Sequence, residues 1–414
     1  MAVVKPFKAI RPTPELSAKV AALPYDVMDS DEAREMVKDN PYSFLHVDKA
    51  EVDLDPSIDL YDKRVYEKAR DTLNKMIADG VFIQDEKPCL YIYQQKMDNR
   101  VQTGIVGCTS IDEYMNNIIK KHEHTRADKE QDRINHVDYC DANTGPIFLT
   151  YRNTKEISNI VAEWVKKKPV YDILSEDGIT HTVWVIDDEA TVNKLVDLFT
   201  RIDYLYIADG HHRSASAVKV GQMRRKQNPV YTGDEEFNYF LSVIFPDNDL
   251  YVMDYNRVVK DLNGNSAEEF MHKVEEKFAV SLYDGEGPYK PETKKTYGMY
   301  LEGKWYILKA KQGTFNADDP VDRLDVSILQ NNILHPILGI EDPRTDKRID
   351  FIGGIRGLKE LERRVDSGMK VAFSMYPTMI EDLMDIADAG KVMPPKSTWF
   401  EPKLRSGLFI HKLS

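Results

Sequence analysis

Five polar residues that follow an apolar run near the middle of the chain have the types and order needed to bind a phosphate. The apolar run, Leu205–Ala208, predicts a buried strand, which Asp209–Gly210 ends in a turn. A small-residue helix is expected from Ser214. Such a junction leaves the first backbone N–H groups of the helix unpaired, and the helix dipole adds positive charge there. With two imidazoles and a guanidinium at His211–Arg213, it suits an anion, above all a phosphate. The alternative is a capped helix start that carries a solvated histidine pair.

A second polar cluster runs from Lys120 to Arg133, where eleven of fourteen residues are charged or histidine. The segment has almost no apolar stripe with which a surface helix would dock. It also follows a predicted strand at Thr103–Ser110, which is a natural place for an active-site loop. The alternative is a solvated helix face on which Glu and Lys residues pair at helical spacing.

The second cluster contains one candidate base and several candidate phosphate ligands. Glu123 can take a proton from a hydroxyl if burial raises its pKa. His122 and His124 can position phosphate oxygens or shuttle protons. Lys129 and Arg133 lie four residues apart, so a helix would present both cations on one face. The alternating histidines favour strand geometry and do not match a zinc-protease motif, which argues against a zinc site.

A third candidate segment lies near the end of the chain. Lys396–Arg405 contains three cations, two hydroxyls and two aromatic residues in an otherwise acidic protein. Such a segment can close as a lid over a phosphate, with Trp399 and Phe400 excluding water. The alternative is a segment that its aromatic residues pin to the core. Neither a P-loop pattern nor a dinucleotide-binding glycine fingerprint is present in the sequence.

The elements that would position these residues mix strands and helices without strict alternation, which favours an α+β fold. Strands are predicted at 147–151, 181–186, 204–208 and 239–245, and helices at 155–167, 189–201 and 214–227. A short strand is also predicted at Phe44–Val47. The 414 residues are enough for two or three domains, and we expect regions at 1–100, 101–253 and 254–414.

Charge and composition exclude several classes of protein. The net charge of −13 argues against a nucleic-acid partner, because there is no basic surplus to follow a phosphate backbone. No apolar run approaches the ~20 residues of a membrane span, and the N-terminal residues lack a signal-peptide pattern. Three scattered cysteines, outside any Cys-x-x-Cys pair, are typical of reduced thiols. We therefore expect a cytoplasmic protein without a membrane partner, whose oligomeric state the sequence does not determine.

Several segments spread along the chain resemble a bacterial family catalogued as domain of unknown function 1015. These segments are Lys5-Pro-Phe, Pro24-Tyr-Asp-Val27, Ser43-Phe-Leu-His46, Lys121-His-Glu-His-Thr125, Lys129-Glu130 with Asp132-Arg133, Ala208 to Arg213, and Met393 to Leu408. Within them, Ala208–Ala217 resembles the Asp-Gly-His-x-Arg signature of the ParB/sulfiredoxin-like superfamily. Its free serine kinase branch, which phosphorylates the hydroxyl of free L-serine from a small phosphate donor, is the closest functional match.

The kinase resemblance implies a ParB/sulfiredoxin-like central region and a role for each motif residue. Lys121-His122-Glu123 resembles the Pro-His-Glu entry that carries the catalytic glutamate of these kinases, although lysine replaces the proline. Asp209 would bind Mg²⁺ or the substrate amine. The implied catalytic residues are Glu123, His211 and His212, and the implied substrate- and phosphate-binding residues are His122, Thr125, Lys129, Arg133, Asp209, Gly210, Arg213, Ser214, Lys396 and Arg405.

The resemblance leaves the donor and the direction of the reaction open. Because no adenine pocket is recognisable in the sequence, pyrophosphate is a candidate donor beside ADP and ATP. A phosphoserine phosphatase would use the same site for hydrolysis. A third hypothesis is a ParB-like regulator that binds a nucleotide or DNA. The net negative charge of the chain argues against it. A sulfiredoxin-type redox enzyme is a fourth, but no cysteine lies near Asp209–Arg213 in the sequence.

Overall fold

The computed structural model describes all 414 residues, which form two compact units. The first unit contains residues 1–250 and 402–414, and the second contains residues 251–401. The chain therefore leaves the first unit near residue 250 and returns to it near residue 402.

The first unit contains twelve strands and nine helices before the chain leaves it. The strands are β1 (Val4–Lys5), β2 (Ile10–Pro12), β3 (Phe82–Gln84), β4 (Leu90–Met97), β5 (Arg100–Ser110), β6 (Ile119–Lys120), β7 (Ala142–Asn143), β8 (Ile147–Tyr151), β9 (Tyr171–Leu174), β10 (Thr180–Ile186), β11 (Leu205–Asp209) and β12 (Tyr239–Pro246). The helices are α1 (Ser17–Val20), α2 (Ser30–Val37), α3 (Leu45–Asp48), α4 (Lys63–Ala78), α5 (Ile111–Met115), α6 (Ala127–Cys140), α7 (Lys155–Trp164), α8 (Glu189–Phe199) and α9 (His211–Gln227).

Nine of these strands form one mixed sheet. Its order is β6-β11-β8-β12-β5-β4-β10-β9, and β1 pairs with β5 beside this path. The β11–β6 and β12–β8 pairs are parallel, whereas the other neighbours run antiparallel. This mixture confirms the predicted α+β class. The expected regions 1–100 and 101–253 both contribute strands to this sheet, and the β4–β5 hairpin spans their boundary.

The main core of the first unit lies against one face of this sheet. All five residues of β8 are buried, as expected for a strand that is covered on both faces. Ile147, Leu149 and Tyr151 share one core cluster with apolar residues of α7 and α8. Helix α6 packs against α9 and α4. Cys89, Cys108 and Cys140 are buried as free thiols. None of the helices combines the length and the apolar composition needed to cross a bilayer.

The second unit has its own antiparallel sheet and its own core. Its elements are β13 (Val252–Met253), β14 (Tyr255–Val259), α10 (Ala267–Lys277), β15 (Phe278–Leu282), β16 (Thr296–Leu301), β17 (Lys304–Ala310), α11 (Asp325–Leu329), β18 (Ile349–Gly353), α12 (Lys359–Asp366), β19 (Val371–Ser374), α13 (Ile380–Asp388) and β20 (Trp399–Phe400). Six strands pair in the order β15-β17-β16-β19-β14-β18. Val258, Tyr300 and Trp305 lie in the core beneath this sheet.

The final residues of the chain return to the first unit. Strand β21 (His411–Lys412) pairs antiparallel with β7, and Ile410 forms a bridge with Ile10. Gln95 of β4 donates a hydrogen bond of 2.9 Å to the carbonyl of Lys403. The returning segment, residues 402–414, is therefore part of the first unit's packing. Its Lys403 reaches Asp209 at the end of β11.

Candidate active site

The junction between β11 and α9 has the geometry that the sequence predicts for an anion site. The pairing of β11 with β8 shifts between Ile207 and Asp209, which leaves Ala208 as an extra residue. Such bulges are common beside active sites, because they redirect the residues that follow. Gly210 has φ +95° and precedes α9, whose N-terminus receives no side-chain cap. The helix begins at His211, three residues earlier than expected, so the backbone N–H groups of its first turn lack intrahelical partners.

Gly210→Ala tests this turn. A Cβ at residue 210 would lie 3.2–3.3 Å from the guanidinium of Arg213, and the left-handed backbone adds about 1–2 kcal/mol of strain. We expect the variant to lower the melting temperature and to weaken phosphate binding measured by calorimetry. The matched control is Gly233→Ala, because Gly233 has φ +102° and open space around it. Equal phosphate binding by the two variants would show that the turn does not position Arg213.

Asp209 is held by two donors at the end of β11. Its Oδ1 accepts a hydrogen bond of 2.9 Å from the N–H of Gly210, and its Oδ2 accepts one of 3.1 Å from the Nζ of Lys403. Burial by itself would raise the pKa of this carboxyl, but the positive charges of Lys403 and Arg213 outweigh it and hold the pKa well below its usual range. Asp209 is therefore ionised, and it orients the turn and the lysine.

Arg213 lies in the first turn of α9 and is directed toward the loop before β8. Its Nη1 donates a hydrogen bond of 2.5 Å to the carbonyl of Pro146. Burial alone would lower the pKa of this guanidinium, but Asp26 and Asp209 raise it above its ordinary value. The residue remains a cation with donors in a fixed fork, which is the geometry that suits phosphate oxygens.

His122, Glu123 and His211 converge beside the same helix N-terminus. The rings of His122 and His211 meet edge to face, with centroids 4.4 Å apart. The Nδ1 of His211 lies 3.9 Å from a carboxylate oxygen of Glu123, whose side chain is 45% exposed. The two imidazoles are buried. Burial lowers the pKa of His122 to about 4, and burial together with His122 holds the pKa of His211 well below its usual value. Both rings are therefore neutral at pH 7.

The loop that carries Glu123 is tied to the helix it faces. The N–H of Arg126 donates a hydrogen bond of 3.0 Å to the Nε2 of His212. Burial lowers the pKa of His212, so its ring is neutral and its proton lies on Nδ1. Thr125 donates a bond of 2.6 Å to Glu130 of α6. The second cluster is thus an irregular segment at residues 121–126 followed by a helix, and His124 is exposed within that segment.

Four other expected ligands have partners of their own. Lys129 is half-buried and donates to the hydroxyl of Tyr61 at 3.0 Å. The hydroxyl of Ser214 is fully buried and bonds to the helix carbonyls of Gly210 and His211. Arg405 is buried, with its Nε 3.1 Å from a ring nitrogen of His181 and an ion pair to Asp177. Lys396 belongs to the second unit, where its carbonyl accepts from Arg257 and its ammonium lies 5.8 Å from the Tyr255 ring centroid.

Arg133 borders a narrow cavity that Arg213 also lines. The cavity measures about 30 Å³, and its other polar walls include Tyr25, Asp48 and Thr144. The guanidinium carbon of Arg133 lies 4.1 Å from the Tyr25 ring centroid, and its Nε donates a bond of 2.8 Å to Asp132. The structure therefore brings two of the expected cations to one cavity.

His136 also lines this cavity, and its raised pKa makes the free energy of unfolding depend on pH. Its Nε2 lies 3.1 Å from the Thr144 hydroxyl and 3.5 Å from Asp48. Burial lowers its pKa, but Cys140 and Asp48 outweigh burial and raise the pKa to about 9. A raised folded-state pKa stabilises the protein fully below the unfolded value near 6.5 and ceases to do so as pH rises through 9.

We therefore expect His136→Gln to cost stability mainly at low pH. Between pH 6 and pH 10 the stability gap between wild type and variant should shrink by about 2–3 kcal/mol, because the protonated His136 loses its charge. Urea unfolding at a series of pH values measures this gap. The control is His272→Gln, which replaces an exposed histidine of α10. A gap that stays constant with pH would mean that His136 is neutral in the fold.

Lys403 is the residue of this site that sequence analysis did not select. Of the three cations in Lys396–Arg405, it is Lys403, and neither Lys396 nor Arg405, that pairs with Asp209. Asp48 and Tyr25 were also missed as cavity residues. The sequence offers one signal for two of these residues: Tyr25 and Lys403 lie within segments that resemble domain of unknown function 1015.

Comparison with known proteins places the chain in a family. Residues 4–327 match the model of the family described as "Protein of unknown function (DUF1015)". The chain belongs to this family. No curated protein sequence matches it.

Several solved structures share a distant likeness with this chain. A free serine kinase in complex with AMP is 17% identical, with a TM-score of 0.36, over 76% of this chain and 95% of the kinase. SbnI from Staphylococcus aureus, truncated at its C-terminus, is 10% identical, with a TM-score of 0.39, over 74% and 86% of the two chains. A conserved hypothetical protein from Pyrococcus furiosus is 15% identical, with a TM-score of 0.35, over 74% and 94%.

Proposed function

We propose that this DUF1015 protein transfers a phosphoryl group from a small donor to the hydroxyl of free L-serine. One observation carries the proposal: an uncapped helix N-terminus lies next to the half-buried cation Arg213, with Glu123 3.9 Å from the first residue of that helix. An anion site and a carboxylate base are the two parts that phosphoryl transfer to a hydroxyl requires.

The transferring group would bind at the start of α9. The N–H groups of His211–Arg213 and the Arg213 guanidinium would donate hydrogen bonds to its three non-bridging oxygens. These N–H groups are fixed in place before the phosphate donor binds. They therefore stabilise the negative charge that develops on the phosphoryl oxygens in the transition state. The neutral ring of His212 would donate from Nδ1, since its Nε2 already accepts a bond from Arg126.

Glu123 would accept the proton of the acceptor hydroxyl. In this step the hydroxyl oxygen forms a bond to phosphorus, the bond from phosphorus to the donor oxygen breaks, and the donor leaves with that electron pair. The hydroxyl proton moves to the Glu123 carboxylate. His211 and His122 are neutral, so they position the carboxylate and the phosphoryl group and do not supply a proton at pH 7.

The acceptor would lie toward the cavity between Arg133 and Arg213. This cavity contains fixed positive charge on both arginines and the ionised Asp48 on its wall. Charges of both signs suit a small zwitterion, and Arg133 can receive its carboxylate by a bidentate contact.

Asp209 does not fit the role of a Mg²⁺ ligand that the sequence resemblance implies. Each of its oxygens already accepts a hydrogen bond, one from Gly210 and one from the ammonium of Lys403. Mg²⁺ usually keeps several waters and binds through one or two carboxylates together with phosphate oxygens. We therefore propose that Mg²⁺ enters as part of the donor complex and that Asp209 orients Lys403 toward the donor.

Phosphorus NMR tests the proposal directly. The purified protein is incubated with L-serine and Mg²⁺, and pyrophosphate, ADP and ATP are supplied in turn. We expect a phosphoserine signal with one of these donors. Release of inorganic phosphate from added phosphoserine, without transfer from any donor, would replace the proposal with a phosphatase. If neither reaction occurs, the chain neither phosphorylates free serine nor hydrolyses phosphoserine.

A further inference from the structure

Two buried histidines and a glutamate meet beside the N-terminus of α9, although two of them are neighbours in the sequence and the third lies far from both. His122 and Glu123 come from the segment after β6, whereas His211 opens α9. Each offers one nitrogen or oxygen ligand atom, and all three atoms lie within 4.8 Å of one another. His124, the other histidine of the segment after β6, is exposed and is not part of this group.

The two imidazoles carry ring nitrogens that nothing in the protein satisfies. The Nδ1 of His122 and the Nε2 of His211 are buried without a hydrogen-bond partner. Buried polar atoms nearly always have a partner, so two such atoms in one cluster need an explanation. His122 also forms a hydrogen bond to the backbone of Ile207. A bond from one ring nitrogen to the backbone is the usual support of a metal-binding histidine, because it directs the other nitrogen toward the ion.

We propose that His122, Glu123 and His211 bind a divalent transition-metal ion such as Zn²⁺ or Co²⁺. Two imidazoles and one carboxylate suit these ions, whereas Mg²⁺ prefers oxygen ligands alone. Three protein ligands leave at least one position for water or a phosphate oxygen. Ligands about 2.0–2.1 Å from a tetrahedral ion lie about 3.3 Å apart, so the half-exposed Glu123 side chain must move by about 1 Å.

This metal site shares Glu123 with the proposed phosphoryl transfer. A carboxylate that binds the ion is a weaker base, so occupancy by a transition metal and proton transfer to Glu123 compete. Asp209 lies close enough to both imidazoles to add negative charge to the surroundings of the ion. The site is therefore best measured by metal binding in the absence of any substrate.

The test uses tag-free full-length protein from which metal has been removed by dialysis against a chelator. Co²⁺ is added to the chelator-free protein, and visible absorption and metal content after gel filtration are recorded. We expect one Co²⁺ per chain, with ligand-field bands that added Zn²⁺ abolishes. His122→Asn and His211→Asn should weaken binding by about 100-fold or more, since loss even of a supporting contact costs about 10–100-fold.

The matched control is His124→Asn, which removes an exposed histidine from the same segment and should bind Co²⁺ like the wild type. Circular dichroism establishes that each variant is folded, and His122→Gln replaces His122→Asn if the latter unfolds. Absence of stoichiometric Co²⁺ binding, or unchanged affinity in a folded His122 variant, would overturn the proposal. A protein that binds Co²⁺ but transfers no phosphate would keep the metal site and lose the proposed function.

Discussion

Replacing Glu123 with glutamine should lower kcat for phosphoryl transfer to serine by about 10²–10⁴-fold, which is the usual contribution of a positioned base. The substitution keeps the size of the side chain and removes its ability to take a proton. Because the side chain is 45% exposed and lies at the edge of the site, the fold should be unaffected. Steady-state kinetics and a melting curve on the same preparation measure both effects.

The control for this experiment is Glu163→Gln. Glu163 is an exposed residue of α7 that pairs with Lys166, so its substitution should change neither rate nor stability. Normal turnover by Glu123→Gln would reject Glu123 as the base. Loss of turnover together with loss of the fold would instead require Glu123→Asp as a second, more conservative variant.

Arg213→Ala should weaken binding of the phosphate donor by about 2 kcal/mol, or about 30-fold in Kd, because it removes a charge-assisted contact from a half-buried site. The same change leaves Asp26 and Asp209 with less compensating charge, so we also expect a lower melting temperature. Calorimetric titration with the donor, at a temperature well below the melting transition, separates the two effects.

Two further variants sharpen this result. Arg213→Lys keeps the charge and loses the planar fork, so its affinity should fall between those of the wild type and Arg213→Ala. Arg201→Ala removes an exposed arginine whose partner is Asp197, and it should bind the donor normally. Unchanged donor affinity in Arg213→Ala would mean that the β11–α9 junction is a structural turn.

The local geometry of the site was predictable because it is encoded in adjacent residues. An apolar run that ends in Asp-Gly specified β11 and the turn, and their bounds agree with the structure to within one residue. The fold class was predictable for a similar reason, since strands and helices were recognisable from β8 to β12. The start of α9 was misplaced by three residues because His-His-Arg is not a typical helix start, and no side chain caps it.

Other features could not be predicted from local sequence. Phe44–Val47 was expected to form a strand, which is wrong: Leu45–Asp48 is the helix α3, and its apolar side chains enter a core with α4. A run of four residues with three apolar side chains fits either element, and tertiary packing decides. The pairing of Lys403 with Asp209 spans 194 residues, and the meeting of His211 with His122 depends on how the segment after β6 folds back.

The late position of Lys403 affects how the protein matures on the ribosome. The half-buried carboxylate of Asp209 is synthesised early, but Lys403, which pairs with it, emerges only after the whole second unit has been made. Domains generally fold in the order in which they leave the ribosome, so the second unit can fold while the first still lacks its last segment. We therefore expect a nascent chain to acquire the complete arrangement of Asp209, Arg213 and Lys403 only when residues 402–414 join the first unit.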